Sequence, residues 1–235
     1  MIHVKLANNH FTLYNHYNYI EKLYKDYRSD NSGMEIHLTE HDLLRENKDN
    51  GNWSMEYLES LAFYRKICES LLDKNILLFH CSAIEMDGNA YLFTAPSGTG
   101  KSTHVRLWKE YFKERVTVIN DDKPLLSVGE KEIRVFGTPY GGKHGLQTNT
   151  SAPVAAIIVL HQSSRNQVTM LNSQEAYPVL MNQTYRKNDP AGMIKTMDLV
   201  KRLTELPVYS LGCNISTEAV CLIYEKLKKM KEMEE

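Results

Sequence analysis

The chain has 235 residues, 42% hydrophobic and 24% charged, which is enough apolar material for a real core and rules out a largely disordered chain. Lys and Arg number 28 against 29 Asp and Glu, for a formal net charge of −1. This argues against a protein built mainly to hold nucleic acid, because phosphate contacts need a basic excess. No stretch approaches the ~18 consecutive apolar residues of a membrane span, and Met1-Ile2-His3-Val4-Lys5-Leu6 lacks the charged-then-apolar order of a signal peptide.

The first 50 residues are polar and rich in Tyr, Asn and His. Ile2, Val4 and Leu6 alternate, Asn8-Asn9 can turn, and Phe11 and Leu13 alternate again, which predicts a hairpin. Ile20, Leu23, Tyr24 and Tyr27 fall at helical spacing. Between Gly33 and Asn52 only one strand is expected, Met34 to Leu38. A stronger helix is predicted from Ser54 to Asp73, with Leu58, Leu61, Ala62, Ile67, Leu71 and Leu72 on one side. At residue 76 the character changes. The apolar run Ile76-Leu77-Leu78-Phe79 is followed by a strand-like segment through Met86, then Asp87-Gly88, then Asn89 to Thr94. Asp-Gly between two strand-like runs predicts a two-residue hairpin, since both central residues of a type I′ turn need positive φ. Further strands are expected at 116–119, 125–128, 131–136, 154–160, 168–171 and 207–211, and helices at 101–113, 174–182, 191–204 and 216–232. The Lys/Glu alternation from Glu225 to Glu235 reads as the solvated face of the last helix. The pattern divides the chain into a small α+β subdomain, 1–75, and a mixed α/β (α+β) domain, 76–235.

The most informative segment is Ala95-Pro96-Ser97-Gly98-Thr99-Gly100-Lys101-Ser102. It fits G-x-x-x-x-G-K-[ST] with Ala for the first Gly, and it lies between a predicted strand and a predicted helix. Gly98 and Gly100 would let backbone N–H groups converge on phosphate oxygens, and the helix N-terminus adds partial positive charge. Lys101 would reach the β- and γ-phosphates, and Ser102 would place its hydroxyl on Mg²⁺. The nucleotide contacts are expected over Ser97, Gly98, Thr99, Gly100, Lys101, Ser102 and Thr103. The competing reading is a glycine-rich turn that caps a helix and binds nothing. In the common P-loop proteins the strand feeding this loop lies in a parallel sheet, whereas Asp87-Gly88 predicts an antiparallel neighbour here.

Val116-Thr117-Val118-Ile119-Asn120-Asp121-Asp122 is an apolar run ending in two carboxylates. Such acids can hold Mg²⁺ or accept a proton from an attacking hydroxyl. Neighbouring strand residues point to opposite faces, so different roles are expected for the two; a solvated turn is the alternative. His80 stands at the start of the hairpin whose second strand feeds the loop, so antiparallel pairing could return it to the phosphates. Phe136-Gly137-Thr138-Pro139-Tyr140-Gly141-Gly142-Lys143-His144-Gly145 reads as an anion or substrate loop with Lys143 as its cation, or else as a connecting loop. His37 and His41 are four apart, but Leu-Thr-Glu between them is not the H-E-x-x-H pattern. Cys68, Cys81, Cys213 and Cys221 form no C-x-x-C pair, so a reducing cytoplasm is expected.

Taken together, His80, the hairpin 82–94, Ser97-Gly98-Thr99-Gly100-Lys101-Ser102 and Asp121-Asp122 resemble the HPr kinase/phosphorylase family, within the group that shares the phosphoenolpyruvate carboxykinase type of nucleotide-binding fold. The resemblance covers about residues 76–225. It implies an HPr kinase-like nucleotide-binding domain with a mostly antiparallel or mixed sheet and flanking helices. It also implies ATP and Mg²⁺ on Lys101 and Ser102, Asp121 as base toward a serine hydroxyl, Asp122 beside the metal, and His80 near the acidic pair. Ala95, the glycine-rich segment 137–144 where the family has an acidic element, and the first 75 residues all depart from the pattern. The chain thus looks like a divergent HPr-kinase-like protein rather than the HPr enzyme. The expected activity is an ATP- and Mg²⁺-dependent kinase acting on a serine of a small protein or peptide. The alternatives are a small-molecule kinase acting on a hydroxyl, and an ATP-binding regulatory module without catalysis. Neither a nucleic acid nor a membrane is expected as a partner, and a homo-oligomer is compatible with the sequence.

Overall fold

The computed structural model describes residues 1–47 and 51–232. They fall into two compact units, Met1–Ile76 and Leu77–Glu235. Of the expected Lys/Glu face at 225–235, residues 233–235 lie outside the described part.

The first unit starts with a hairpin of β1 (Ile2–Leu6) and β2 (Asn9–Leu13). Its central turn residues are Ala7 and Asn8, both at positive φ, with Asn9 already paired to Leu6. The turn therefore sits one residue earlier than the Asn-Asn pair suggests. Helix α1 (Asn18–Leu23) follows, and a short strand β3 (Met34–Ile36) pairs in parallel with β2. Helix α2 (Glu40–Glu46) was not expected from the sequence. A reciprocal cap creates it: the Asp42 N–H donates to Thr39 Oγ1 and the Thr39 N–H to Asp42 Oδ2. Helix α3 (Met55–Leu71), capped by Ser54, buries Leu58, Ala62, Ile67 and Leu71 on the predicted stripe. Within it Glu59 is fully buried and accepts from the backbone N–H groups of His16 and Tyr17, at 2.6 and 3.2 Å. It thereby serves the start of α1, whose own cap side chain makes no such bond.

The division between the units falls within β4 (Ile76–Leu78), the first strand of a nine-stranded mixed sheet. β5 (Ser82–Met86) and β6 (Asn89–Thr94) pair antiparallel across Asp87 and Gly88, which take φ of 53° and 80°. Helix α4 (Lys101–Phe112) leads to β7 (Val116–Asn120), which returns antiparallel to β5. A second hairpin joins β8 (Leu125–Val128) to β9 (Ile133–Phe136). The long strand β10 (Ser151–Gln162) pairs antiparallel with β9, then in parallel with β6. After β11 (Gln167–Leu171), helices α5 (Ser173–Asn182) and α6 (Pro190–Leu203) lead to β12 (Val208–Cys213), which lies parallel to β10 and antiparallel to β11. Helix α7 (Thr217–Glu232) closes the described chain. The expected mixed α/β architecture is the observed one. The antiparallel β5–β6 pairing sits beside a parallel trio, β6–β10–β12, which nothing local in the sequence announces.

The core of this unit forms where α4 and α7 cover the sheet. Trp108, fully buried, packs against Phe93, Tyr91 and Phe112. Strand β10 is buried over most of its Val/Ile/Ala run, as befits a strand flanked by parallel neighbours. Among the described residues no helix is long and apolar enough to cross a membrane.

Gly137 shows how tightly the acid-bearing end of the sheet is closed. A Cβ there would lie 2.0 Å from the Thr148 carbonyl oxygen and 2.7 Å from that of Ile119. Both are backbone atoms and cannot swing aside, so Gly137→Ala is expected to destabilise the protein by about 1–3 kcal/mol. Denaturant unfolding of the variant checks this.

Candidate functional site

The loop between β6 and α4 has the backbone that phosphate binding requires. Gly98 and Gly100 sit at φ of 82° and 118°, and no atom lies within 4 Å of where a Cβ would be. Left-handed backbone at those two positions turns successive N–H groups toward one side. Gly100 also occupies the N-cap of α4 and has no side chain to satisfy the first N–H groups. The helix thus begins with donors and partial positive charge directed out of the loop. Ser97 and Gly98 are exposed, while Thr99, Ser102 and Thr103 are half-buried. Lys101 is buried and its Nζ donates to the Ala95 carbonyl at 2.9 Å. Burial pulls its pKa below the ordinary lysine value, and the charges of Asp122 and Asp121 work against that pull. An incoming anion would act in the same direction as those charges.

His80 is brought to this loop by the β5–β6 pairing. Thr94 Oγ1, on the last residue of β6, donates to the His80 carbonyl at 2.9 Å. Its ring lies between two partners: Nδ1 is 2.9 Å from Gln183 Oε1, and Nε2 is 3.3 Å from Asp122 Oδ1. The His80 N–H also donates to the Gln183 carbonyl, at 2.8 Å. Gln183 follows α5 and has no motif to advertise it.

The acidic pair lies in a bend just past β7, not on the strand. The bend, rather than strand alternation, sends the two carboxylates to different places. Asp121 is buried, and Ser82 Oγ donates to its Oδ1 at 2.6 Å. Asp122 is half-buried beside His80 and Lys123. Burial alone would raise its pKa, but the His80 hydrogen bond and the charges of Lys123 and Lys101 outweigh burial and hold it below the usual carboxylate value. Asn120 fixes this bend. Its Oδ1 accepts the N–H groups of Asp122 and Lys123 at 3.0 and 2.8 Å, and its Nδ2 donates to the carbonyl and hydroxyl of Thr138.

The glycine-rich segment therefore has two parts. Thr138, fully buried, also donates its hydroxyl to the Lys123 carbonyl at 2.8 Å, so residues 137–140 clasp the acidic bend. A short 3-10 turn, Gly142–His144, follows, with Gly142 close against Asp122. Lys143 is exposed on that turn. His37 lies outside any helix, stacked on Tyr14 at 4.1 Å, while His41 is in α2. Among the described residues, no three His, Cys, Asp or Glu side chains gather as a metal cage. A Mg²⁺ ion carried on phosphates needs only one or two protein oxygens. Ser102, in the first turn of α4, and Asp122 are of the right chemistry for it.

Comparison with known proteins adds the following. A family model described as "SynChlorMet cassette protein ScmC" matches residues 43–218, and the chain belongs to that family. No curated protein matches the sequence. Among solved structures, the HPr(Ser) kinase/phosphatase from Coxiella burnetii is similar with a TM-score of 0.38 and 12% identity, over 67% of this chain and 97% of that one. A likeness of that degree says nothing about what this chain binds or does.

One further group ties the loop to the core. His104, on α4, is buried, and Trp108 Nε1 donates to its Nε2 at 3.0 Å. Burial lowers its pKa from 6.5 to about 4. Above pH 6.5 it is neutral whether the chain is folded or not. As pH falls from 6.5 toward about 4 the unfolded chain takes up the proton first, so stability is lost through that window. The loss expected is on the order of 3 kcal/mol at 1.36 kcal/mol per pKa unit. Denaturant titrations at several pH values should show the slope, and His104→Gln should flatten it.

Proposed function

We propose that this member of the ScmC family is an ATP- and Mg²⁺-dependent phosphotransferase of the second unit, acting in the cytoplasm on a serine hydroxyl of a small protein or peptide. The observation that carries the reading is the convergence of Lys101, His80 and Asp122 at a left-handed glycine loop on the start of a 12-residue helix. A helix-capping turn has no use for a histidine–carboxylate pair beside its lysine. A module that only senses ATP has no use for a proton acceptor.

The loop N–H groups from Gly98 to Ser102 would bind the phosphate chain, and Lys101 would exchange its contact with the Ala95 carbonyl for one with phosphate. Mg²⁺, when bound through Ser102 and whichever of the two carboxylates is not the base, would neutralise charge developing on the transferred group. The chain's own groups do the rest. Lys101 and the helix N-terminus stabilise the added negative charge, and a carboxylate takes the hydroxyl proton. The resemblance assigns that proton to Asp121. A second assignment is supported by the geometry, because Asp121 is buried under Ser82 while Asp122 is only half-buried and is braced by His80. Lys143, on its exposed turn, would meet the acceptor.

If ATP with Mg²⁺ binds only the folded chain, a concentration of 100 times its Kd should add about 2.7 kcal/mol of stability. Lys101→Ala should remove most of that gain, measured against the variant's own apo melting temperature because the buried Lys101 also holds the Ala95 carbonyl. Equal ATP-induced shifts in both proteins would sink the reading.

Phosphotransfer to a serine peptide then separates the acids. The variant that loses its base, Asp121→Asn or Asp122→Asn, should slow the chemical step by about 10²- to 10⁴-fold with ATP affinity unchanged. The other should need more Mg²⁺ and recover rate when it is supplied. Two fully active variants would remove the pair from the site. Lys143→Ala should reduce transfer more than it weakens ATP binding.

A further inference from the structure

The nine-stranded sheet has three outer strands, β4, β7 and β11, and the chain treats them differently. Beside β4, the segment after α5 supplies a backbone neighbour: Phe79 bridges to Thr184, and the Tyr185 N–H donates to the Leu78 carbonyl at 3.0 Å. At β7, Gln147 bridges to Asn120 and the Thr148 N–H donates to the Ile119 carbonyl at 3.1 Å. β11 pairs with β12 on one side and, among the described residues, with no strand on the other. An unpaired edge leaves a row of N–H and C=O groups ready for another strand, and proteins blunt such edges with charge, proline, a bulge or brevity. β11 has none of these. Gln167-Val168-Thr169-Met170-Leu171 contains no charged residue, Pro or Gly, and its register against β12 runs through the whole strand without a shift. Gln167, Thr169 and Met170 are exposed, Met170 by 62%.

The residues along this edge are suited to their own copy. Two antiparallel β11 strands related by a two-fold axis at Thr169 set Thr169 opposite the partner's Thr169, and Val168 opposite the partner's Met170. Alternation puts Val168 and Met170 on one face, so this apolar pair forms twice and covers the exposed methionine. The ends match as well. Arg165, exposed just before the strand, forms no ion pair among the described residues. Glu175, also exposed, follows the strand in the first turn of α5. Antiparallel pairing brings the Arg165 end of each copy to the Glu175 end of the other, and opposite charges at those ends fix the register.

We propose that β11 is a self-association edge, through which two copies of this chain join their sheets into one continuous sheet as an isologous dimer. Main-chain bonds hold such a pair, with alternate side chains setting its specificity. Association of this kind needs neither nucleotide nor acceptor.

Sedimentation of the full chain over a range of concentrations tests this, with amide hydrogen exchange to locate the contact. Wild type should move from monomer toward twice the monomer mass as concentration rises, and exchange at residues 167–171 should slow in step. Thr169→Lys sets two ammonium groups opposite each other in every dimer and should weaken association about ten-fold or more. Its exchange at residues 167–171 should stay fast. Because Thr169 is exposed, the melting temperature of that variant at low concentration should match wild type. Thr169→Val should associate at least as well as wild type, and Arg165→Glu more weakly, since it meets Glu175 with a like charge. A chain that stays monomeric at every concentration overturns the proposal. So does a dimer that Thr169→Lys leaves intact. Protection of residues 167–171 that appears only when a serine peptide is added overturns it too, and makes the edge a peptide site.

Discussion

The antiparallel pairing of β5 with β6 is the constraint on which the site depends. It sets Ser82 opposite Phe93, so that His80, two residues earlier, meets the point where β6 becomes the glycine loop. The bond from Thr94 Oγ1 to the His80 carbonyl locks that meeting. Because β7 also pairs with β5, with Asn120 opposite Ala83, the acidic bend is carried to the same place. Loop, histidine and carboxylates are therefore three products of one strand arrangement. A one-residue slip would turn every one of these side chains to the other face.

Around that arrangement the polar groups are satisfied in a closed circuit. Ser82 holds Asp121, Asn120 holds the bend, Thr138 holds Asn120, and Gln183 holds His80. Several of these groups are fully buried, where an unpaired donor or acceptor is expensive. The consequence is rigidity: the orientation of His80 is set by Gln183, and that of the acidic bend by Asn120 and Thr138.

Much of this was legible in the chain. Asp87-Gly88 announced the hairpin because a primed turn between two strand-like runs favours that pair, and Gly-Thr-Gly-Lys-Ser announced the loop because each residue has a steric or charge reason to be there. What stayed hidden is tertiary. Gln183 stands 103 positions from the histidine it orients. Thr138 looked like part of a binding loop and instead clasps the acidic bend. The parallel partners of β6 have no local signature, since a buried apolar run such as Val154 to Leu160 does not reveal its neighbours. Helix α2 escaped because Asp42, rather than Glu, completes its capping box.

Strand β10 also has a consequence for the order in which the molecule is made. It must find β6, which lies more than sixty residues before it, and β12, some fifty residues after it. Contacts between such distant stretches form slowly, because a long loop has to close before they repay the lost freedom. During synthesis the glycine loop therefore emerges well before the strands that support it. Until Cys213 has left the ribosome and β12 has docked, the nascent chain carries its glycine loop on an unfinished sheet. Its parallel strands lack their last partner, so the edge of β10 is open to other chains.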